Sequence, residues 1–279
     1  MLTHDITKMN YIIITFFVML CMFVSAPSSY ANVSVQPDST ELIVESGKVI
    51  KGVLQVRNDA AEEVHVKVEP EDWMKKKSTG ASVSVKDWLT VSSLEFDMAP
   101  GEDKNVDYSI CVPEDSAAEV VAMVFFSTTA PQGNLNITNR YGVSIYAAVS
   151  DKLNIDCALV NIEVSRDSVK TDEGIVNKGI IFILNLENKG NAHLRPTGSI
   201  EVTGDDGARY NIPIERNFPV YPEGKLSQRV MWKKESLPAG KYEAEVKLDY
   251  GALYKLDKKI NKAVSFTVEK DGSISTFGG

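Results

Sequence analysis

Histidine and cysteine are scarce, three of each in 279 residues, and positive charge is in deficit: 30 Lys and Arg stand against 38 Asp and Glu, a net charge of -8. The shortage of His and Cys removes most catalytic metal centres and imidazole-based acid–base schemes. Nucleic-acid binding rests on clustered positive charge, and beyond the short Lys75-Lys76-Lys77 there is none. No GxSxG, HExxH, P-loop or CxxC pattern occurs, so hydrolase, zincin, nucleotide-hydrolase and thiol-redox readings lose their usual support. The acidic pairs Glu62-Glu63 and Glu71-Asp72 are neighbours in the chain, whereas a glycosidase needs two carboxyls facing each other across a cleft. Asp205-Asp206-Gly207 lacks the further oxygen ligands of a calcium loop and reads as a turn. His65 lies on the wet face of an alternating segment, and neither it nor His193 is assigned a catalytic or ligand role. Trp73, Trp88 and Trp232 read as core or rim packing. The expectation is a non-enzymatic protein with no cofactor, no metal and no catalytic residue.

Only one long apolar run is present. Tyr11 to Val24 is apolar and aromatic, Lys8 precedes it, and Ser29-Tyr30-Ala31 places small residues where a signal peptidase cuts. The run falls short of the ~20 residues that a membrane-spanning helix needs. Residues 1–31 are therefore expected to be a cleaved signal peptide, with Cys21 discarded in it. Leu20 occupies the position before Cys21 where a lipoprotein signal requires a small residue. The mature chain is expected in the periplasm or outside the cell, without a stable membrane anchor. That compartment permits disulfides. A bridge between Cys111 and Cys157 would staple the two halves, and two unpaired thiols are the alternative.

After the signal, apolar residues recur with period two. Val64, Val66 and Val68 alternate with Glu63, His65, Lys67 and Glu69; Ile50, Gly52, Leu54 and Val56 form a second set, and Val106, Tyr108, Ile110 and Val112 a third. Val120 to Phe126 and Gly142 to Val149 are more continuously apolar, as in strands covered on both faces. The second half repeats the pattern at Ile180 to Leu186, Tyr242 to Leu248 and Val264 to Val268, with turns at Asn188-Lys189-Gly190-Asn191, Gly204 to Gly207, Pro222-Glu223-Gly224 and Pro238-Ala239-Gly240. No segment carries a helical period. The expected fold is all-β: two tandem immunoglobulin-like antiparallel β-sandwiches, over 32–150 and 157–270, with a boundary near Ser150 to Asp156 and a flexible tail at 271–279. Met98-Ala99-Pro100-Gly101-Glu102 and Val220-Tyr221-Pro222-Glu223-Gly224 form a weak internal echo, each a turn leading into a strand.

Trp88 to Glu102, with its Ala99-Pro100-Gly101-Glu102 turn, then Val112-Pro113, Val120 to Thr128 and Arg140 to Tyr146, resembles the first domain of periplasmic pilus-assembly chaperones of the PapD type. The second block, with Glu187 to Gly198 and Leu237 to Tyr242, is similar to a further immunoglobulin-like module that accompanies such domains. The resemblance covers nearly the whole mature chain. It implies a chaperone that binds a surface or pilus-like protein subunit, or another extended peptide segment, by lending its strand G to an incomplete sandwich. Strand G here is the segment from Arg140 to Val149, with Tyr141, Val143, Ile145 and Ala147 on one face; that face is either the donor face or the sandwich core. The family anchors the subunit's terminal carboxylate with basic residues on strands A and G. Arg140 approximates the strand G position, and Val33 to Asp38 offers no basic residue for the other. A structural or adhesive cell-envelope protein that binds cell wall or partner proteins through the same domains is the alternative.

Overall fold

The computed structural model describes residues 33–73, 84–132, 135–171, 174–216, 219–234 and 237–277. The expected signal peptide and Lys75-Lys76-Lys77 lie outside the described residues. In chain order, the first half contains β1 (Val33–Gln36), β2 (Ser39–Val44), β3 (Val49–Asn58), β4 (Val64–Asp72), a single helical turn α1 (Val85–Trp88), β5 (Leu89–Val91), β6 (Glu95–Met98), β7 (Asp103–Cys111), β8 (Glu119–Gln132) and β9 (Leu135–Val149). The second half contains β10 (Cys157–Thr171), β11 (Gly174–Asn188), β12 (Thr197–Gly204), β13 (Arg209–Ile214), β14 (Lys225–Trp232), β15 (Gly240–Asp249), β16 (Lys259–Val268) and β17 (Ile274–Phe277).

Two sandwiches result. The first stacks a sheet of order β1-β3-β7-β5 on one of order β2-β9-β8-β4-β6; the second stacks β10-β11-β14 on β13-β12-β15-β16-β17. The period-two patterns explain this division, because each strand turns its apolar set to the facing sheet and its charges to water. Leu54, Val56, Val66, Val106, Ile110 and Phe126 are buried in the first core, and Phe182, Leu184, Ile200, Val246 and Phe266 in the second. Trp88 caps the first core from α1, a helical turn without counterpart in the sequence pattern; Ser84 caps it and Asp87 returns a bond to the Ser84 amide. In the second core the Phe182 ring meets Phe266 edge-on at 6.2 Å, and Tyr242 stacks on Phe266 at 5.3 Å while its hydroxyl donates to Pro238 O. Ser150–Lys152 forms one 3-10 turn between β9 and β10.

The echo between the halves is a repeated polar corner. Gly101 N–H donates to Asn58 O, and Asn58 N–H to Glu102 O; Glu223 N–H donates to Asn188 O, and Asn188 N–H to Gly224 O. Within each corner the asparagine side chain bonds further backbone groups. Asn58 Nδ2 donates to the carbonyls of Glu62, Met98 and Ala99, and Asn188 Nδ2 to those of Ala192 and Val220. The two side-chain oxygens accept from Ala60 N–H and Gly190 N–H. Both asparagines are buried, so these bonds replace water at carbonyls that have no other access to it. The turns match as well: Pro100-Gly101 and Pro222-Glu223 occupy the centres of turns whose second central residue has φ of 71° and 61°.

One expectation is corrected, and one pair of alternatives is resolved. The tail is not free over its length: Glu269 N–H bonds to Ser273 O around Gly272, and Ile274 to Phe277 fold back as β17 against β16, with Ile274 packing on the second core. Cys111 and Cys157 are both free thiols. Cys111 pairs with Val49 at the end of β7, whereas Cys157 is buried in the second core, so the two belong to different sandwiches. Burial pushes the Cys157 thiol up to about 11.

Asn188→Ala is expected to destabilise the protein by about 2 kcal/mol, because it removes the donor to the buried Ala192 carbonyl and the acceptor of Gly190 N–H, and Asn58→Ala by at least as much; urea unfolding followed by circular dichroism measures both. In protein lacking residues 1–31, a thiol reagent at pH 8 should label half-buried Cys111 first. Cys157 is protonated there and becomes reactive only as the pH approaches its raised value, which a pH series of alkylation rates would show.

Candidate partner-binding edge and domain junction

The β8–β9 hairpin is longer than the sheet that supports it. β4 pairs with β8 from Asp72 opposite Ala122 to Val66 opposite Thr128 and no further, whereas β8 and β9 pair continuously to Gln132 opposite Leu135. Residues 129–132 and 135–138 therefore form a two-stranded ribbon projecting past the sandwich. Thr129 and Thr138 sit side by side in it with their hydroxyls 2.9 Å apart, and Leu135 near its tip is 71% exposed.

On its other side β9 is only partly covered. β2 runs parallel to it from Ser39 opposite Ser144 to Val44 opposite Val149. Upstream of Ser144, among the described residues, no strand pairs with that edge. Ser144 N–H points outward, donating to Asp38 O. The unbroken register with β8 then directs the backbone groups of Gly142, Arg140, Thr138 and Asn136 to the same outward edge, and those of the odd-numbered residues toward β8.

The site residues expected from the sequence divide along this strand. Val143, Ile145 and Ala147 are fully buried in the first core, so from Val143 onward the expected donor face is the sandwich's own interior. The physical reason is coverage: β2 and the four-stranded sheet enclose this part of β9, and a buried isoleucine or valine has no face left for a partner. Tyr141, partly buried, packs against the edge of that core. Arg140 is on the outer face, where its guanidinium donates to Glu71 Oε1 at 2.7 Å, lies 3.9 Å from Glu69 and covers the Phe125 ring at 3.8 Å. It is six residues upstream of the junction residue Tyr146, about 20 Å along the strand, and its charge is matched by two carboxylates. Arg140 therefore does not serve as the expected carboxylate anchor between the domains.

The junction holds a different constellation. Glu41 on β2 and Glu119 on β8 come from the first sandwich; His193, Arg195, Arg216 and Tyr254 come from the second. The His193 side chain is 1% exposed. Its Nδ1 lies 2.7 Å from Glu119 Oε1, its backbone N–H donates to Glu119 Oε2 at 2.9 Å, and its Nε2 lies 3.5 Å from Glu41. Arg195 donates to Glu41 at 2.6 Å and Arg216 pairs with the same carboxylate. Tyr254 donates to His193 O at 2.6 Å; burial, reinforced by the Glu119 charge, pushes its phenol far above the ordinary range. Tyr146 is raised too, by burial first and then by its contact with Tyr221, whose hydroxyl is 3.0 Å away. The Tyr146 ring lies over His193 with centroids 4.1 Å apart. Lys152 adds a bond to Ser116 O, and Asn191 bonds Lys152 O, so the connecting turn is held from both sides. The sequence gives His193 no catalytic or ligand role, and its carboxylate partners stand 74 residues or more away in the other sandwich; only its place in the Asn188 corner, next to Ala192, hints that it is held in a rigid turn.

Among the described residues no group of three or more His, Cys, Asp or Glu side chains is arranged to hold a metal ion, and no helix is long and apolar enough to cross a membrane. No family model matches the chain, and no curated protein does. Among solved structures, the chain is similar to the class 5 fimbriae chaperone CfaA, with 15% identity over 83% of this chain and 98% of that one and a TM-score of 0.43. It is also similar to a Salmonella enterica SafA pilin in complex with the SafB chaperone, with 13% identity, coverage of 85% and 98% and a TM-score of 0.38. The E. coli chaperone DraB gives 13% identity, coverage of 83% and 98% and a TM-score of 0.39.

Removing one partner from the junction leaves the other buried and uncompensated. His193→Gln and Glu119→Gln, each about 2 kcal/mol or more destabilising, should couple by over about 1 kcal/mol in a double-mutant cycle read by urea unfolding. Additive effects would show that the pair contributes nothing across the junction.

Proposed function

We propose that this protein is a non-enzymatic, exported chaperone that binds an extended segment of a surface or pilus-like subunit by strand addition to the open edge of β9. One observation carries the reading: β9 presents outward-facing backbone groups from Asn136 to Gly142 on an edge that β2 closes only from Ser144 onward. An uncovered strand of this length is a template for another chain, and a protein that keeps one has either a partner or an aggregation problem. Main-chain bonds to these groups give affinity without requiring a fixed partner sequence, and alternate side chains add selectivity.

The partner-facing segment is thus shifted toward the hairpin relative to the sequence expectation, to Leu135–Gly142. Leu135, Ile137 and Tyr141 share one face of that segment with the buried Val143, and unlike it they retain exposure. They are the apolar side chains that a partner's groove would receive. The projecting ribbon supports this assignment, because a strand that stands clear of its own sandwich can enter another one.

Thr138→Pro tests the reading. The Thr138 N–H points to the open edge, so proline removes a partner bond without removing one to β8, and proline at an edge is compatible with the strand. Purified natively from its own envelope, wild-type protein should carry a stoichiometric polypeptide that native mass spectrometry detects and that unfolding releases. The Thr138→Pro variant should fold and capture about tenfold less. A wild-type protein that emerges as a bare monomer, or a variant that captures its partner undiminished, refutes strand addition at this edge.

A further inference from the structure

Beside the open edge, the outer face of β9 lacks a side chain at Gly142, and two side chains of β8 take up the space one would need. A Cβ built at Gly142 would stand 2.9 Å from Met123 Sδ and 3.1 Å from Phe125 Cε1, so a side chain there would have to push both aside. Gly142 pairs directly with Phe125, and Ser144 with Met123. Both β8 side chains therefore cross the space above Gly142 and end near the rim of the sheet, half-buried. Arg140 backs Phe125 from the hairpin side, with its guanidinium over the ring and its charge held by Glu71. Ser144 closes the other side, its hydroxyl 3.8 Å from Met123 Sδ. The result is a shallow apolar platform of Met123 and Phe125 that reaches the edge only because residue 142 has no side chain.

A strand added along this edge would place one residue opposite Gly142 on the same face, with its Cβ about 5 Å away. An ordinary cross-strand pair would set a β9 side chain beside that residue; here its side chain instead meets Met123 and Phe125, which lie across the glycine. We infer that Gly142, Met123 and Phe125 form a recognition site for one large apolar residue, aromatic by preference, on the outward face of the incoming segment. The inference rests on strand addition at β9 and names the partner more closely: an extended segment carrying such a residue on the face opposite to the one that enters the partner's own fold. The occupant continues the line of β2, which already uses the same edge from Ser144. An aromatic ring over an edge glycine recovers packing that the glycine forfeits, and the sulfur of Met123 adds a favourable contact with it.

The probe is an acetylated, amidated peptide of alternating Thr and Val with Lys at both ends, together with its single-Phe variants along the length. Binding is read by titration, and pairing by hydrogen-exchange protection of the Thr138, Arg140 and Gly142 amides. One Phe variant is expected to bind about fivefold tighter than the parent, in line with an aromatic cross-strand pair. That advantage should vanish in Gly142→Val, which displaces the Met123 and Phe125 side chains, and in Met123→Ala, which removes half of the platform, while both variants still bind the parent peptide. If the parent protects the edge amides and no Phe variant gains, the platform has no recognition role and strand addition stands. If no peptide protects these amides, strand addition fails and the inference with it. If the free protein sediments as a dimer with those amides already protected, the occupant is a second copy and the inference is overturned.

Discussion

The place where the chain leaves one sheet for the other decides most of what this molecule can do. β1 belongs to the four-stranded sheet and β2 to the five-stranded sheet, with only Pro37 and Asp38 between them. Because β2 arrives beside β9 at Ser144, it closes the last six residues of β9 and, among the described residues, leaves those upstream with one neighbour instead of two. Every unpaired backbone group on that edge must find water or another chain. Had β2 begun a few residues earlier in the register, the edge would be capped and the sandwich complete. The crossing at Pro37-Asp38 thus fixes the length of the open edge, and the β8–β9 ribbon extends it.

The junction imposes a second constraint of a different kind. Two carboxylates of the first sandwich meet a histidine, two arginines and a tyrosine of the second, and much of that charge is out of water. Such a cluster contributes little net stability compared with an apolar contact of the same size, since desolvation offsets the Coulombic gain. Its geometry is demanding, however: His193 must place two ring nitrogens and an amide against two carboxylates at once. An apolar interface tolerates sliding and this one does not. The polar contacts therefore hold the second sandwich against the lower end of β9, where the Tyr146 and Ala148 side chains are buried, while the upper end projects freely.

The fold was legible because strand alternation is local. Val64-Val66-Val68 or Val106-Tyr108-Ile110 states its own inner face, and the paired turns at Ala99-Pro100-Gly101-Glu102 and Tyr221-Pro222-Glu223-Gly224 marked a repeat that the Asn58 and Asn188 corners turn out to anchor. The helical turn at Val85–Trp88 is too short for any period to register, and β17 follows a polar, glycine-bearing turn that reads like a disordered end. The site was legible in part. Alternation marks β9 as a strand, but its two faces cannot be told apart within Arg140 to Val149, where both are apolar near the junction. Coverage by β2, which is far away in sequence, settles which part is interior. Arg140 and His193 are hard to place from sequence for the same reason: the groups that neutralise the one and bury the other come from distant strands.

An open strand edge has to be kept from pairing indiscriminately, and the composition of β9 shows how that is managed here. Asn136, Thr138 and Arg140 share the outward-bonding positions, and Arg140 brings a charge and an ion pair with Glu71 to the face beside the edge. The chain as a whole is acidic, which opposes contact between copies. Apolar character is confined to Leu135, Ile137 and Tyr141 on one face and to the platform at Gly142 on the other. Backbone pairing alone is indifferent to sequence, so a polar edge flanked by a few apolar positions biases binding toward segments that match those positions and against the many that match only the backbone. Under strand addition the same arrangement would serve both ends: a mostly polar edge disfavours indiscriminate pairing when free, and its few apolar positions would discriminate among segments.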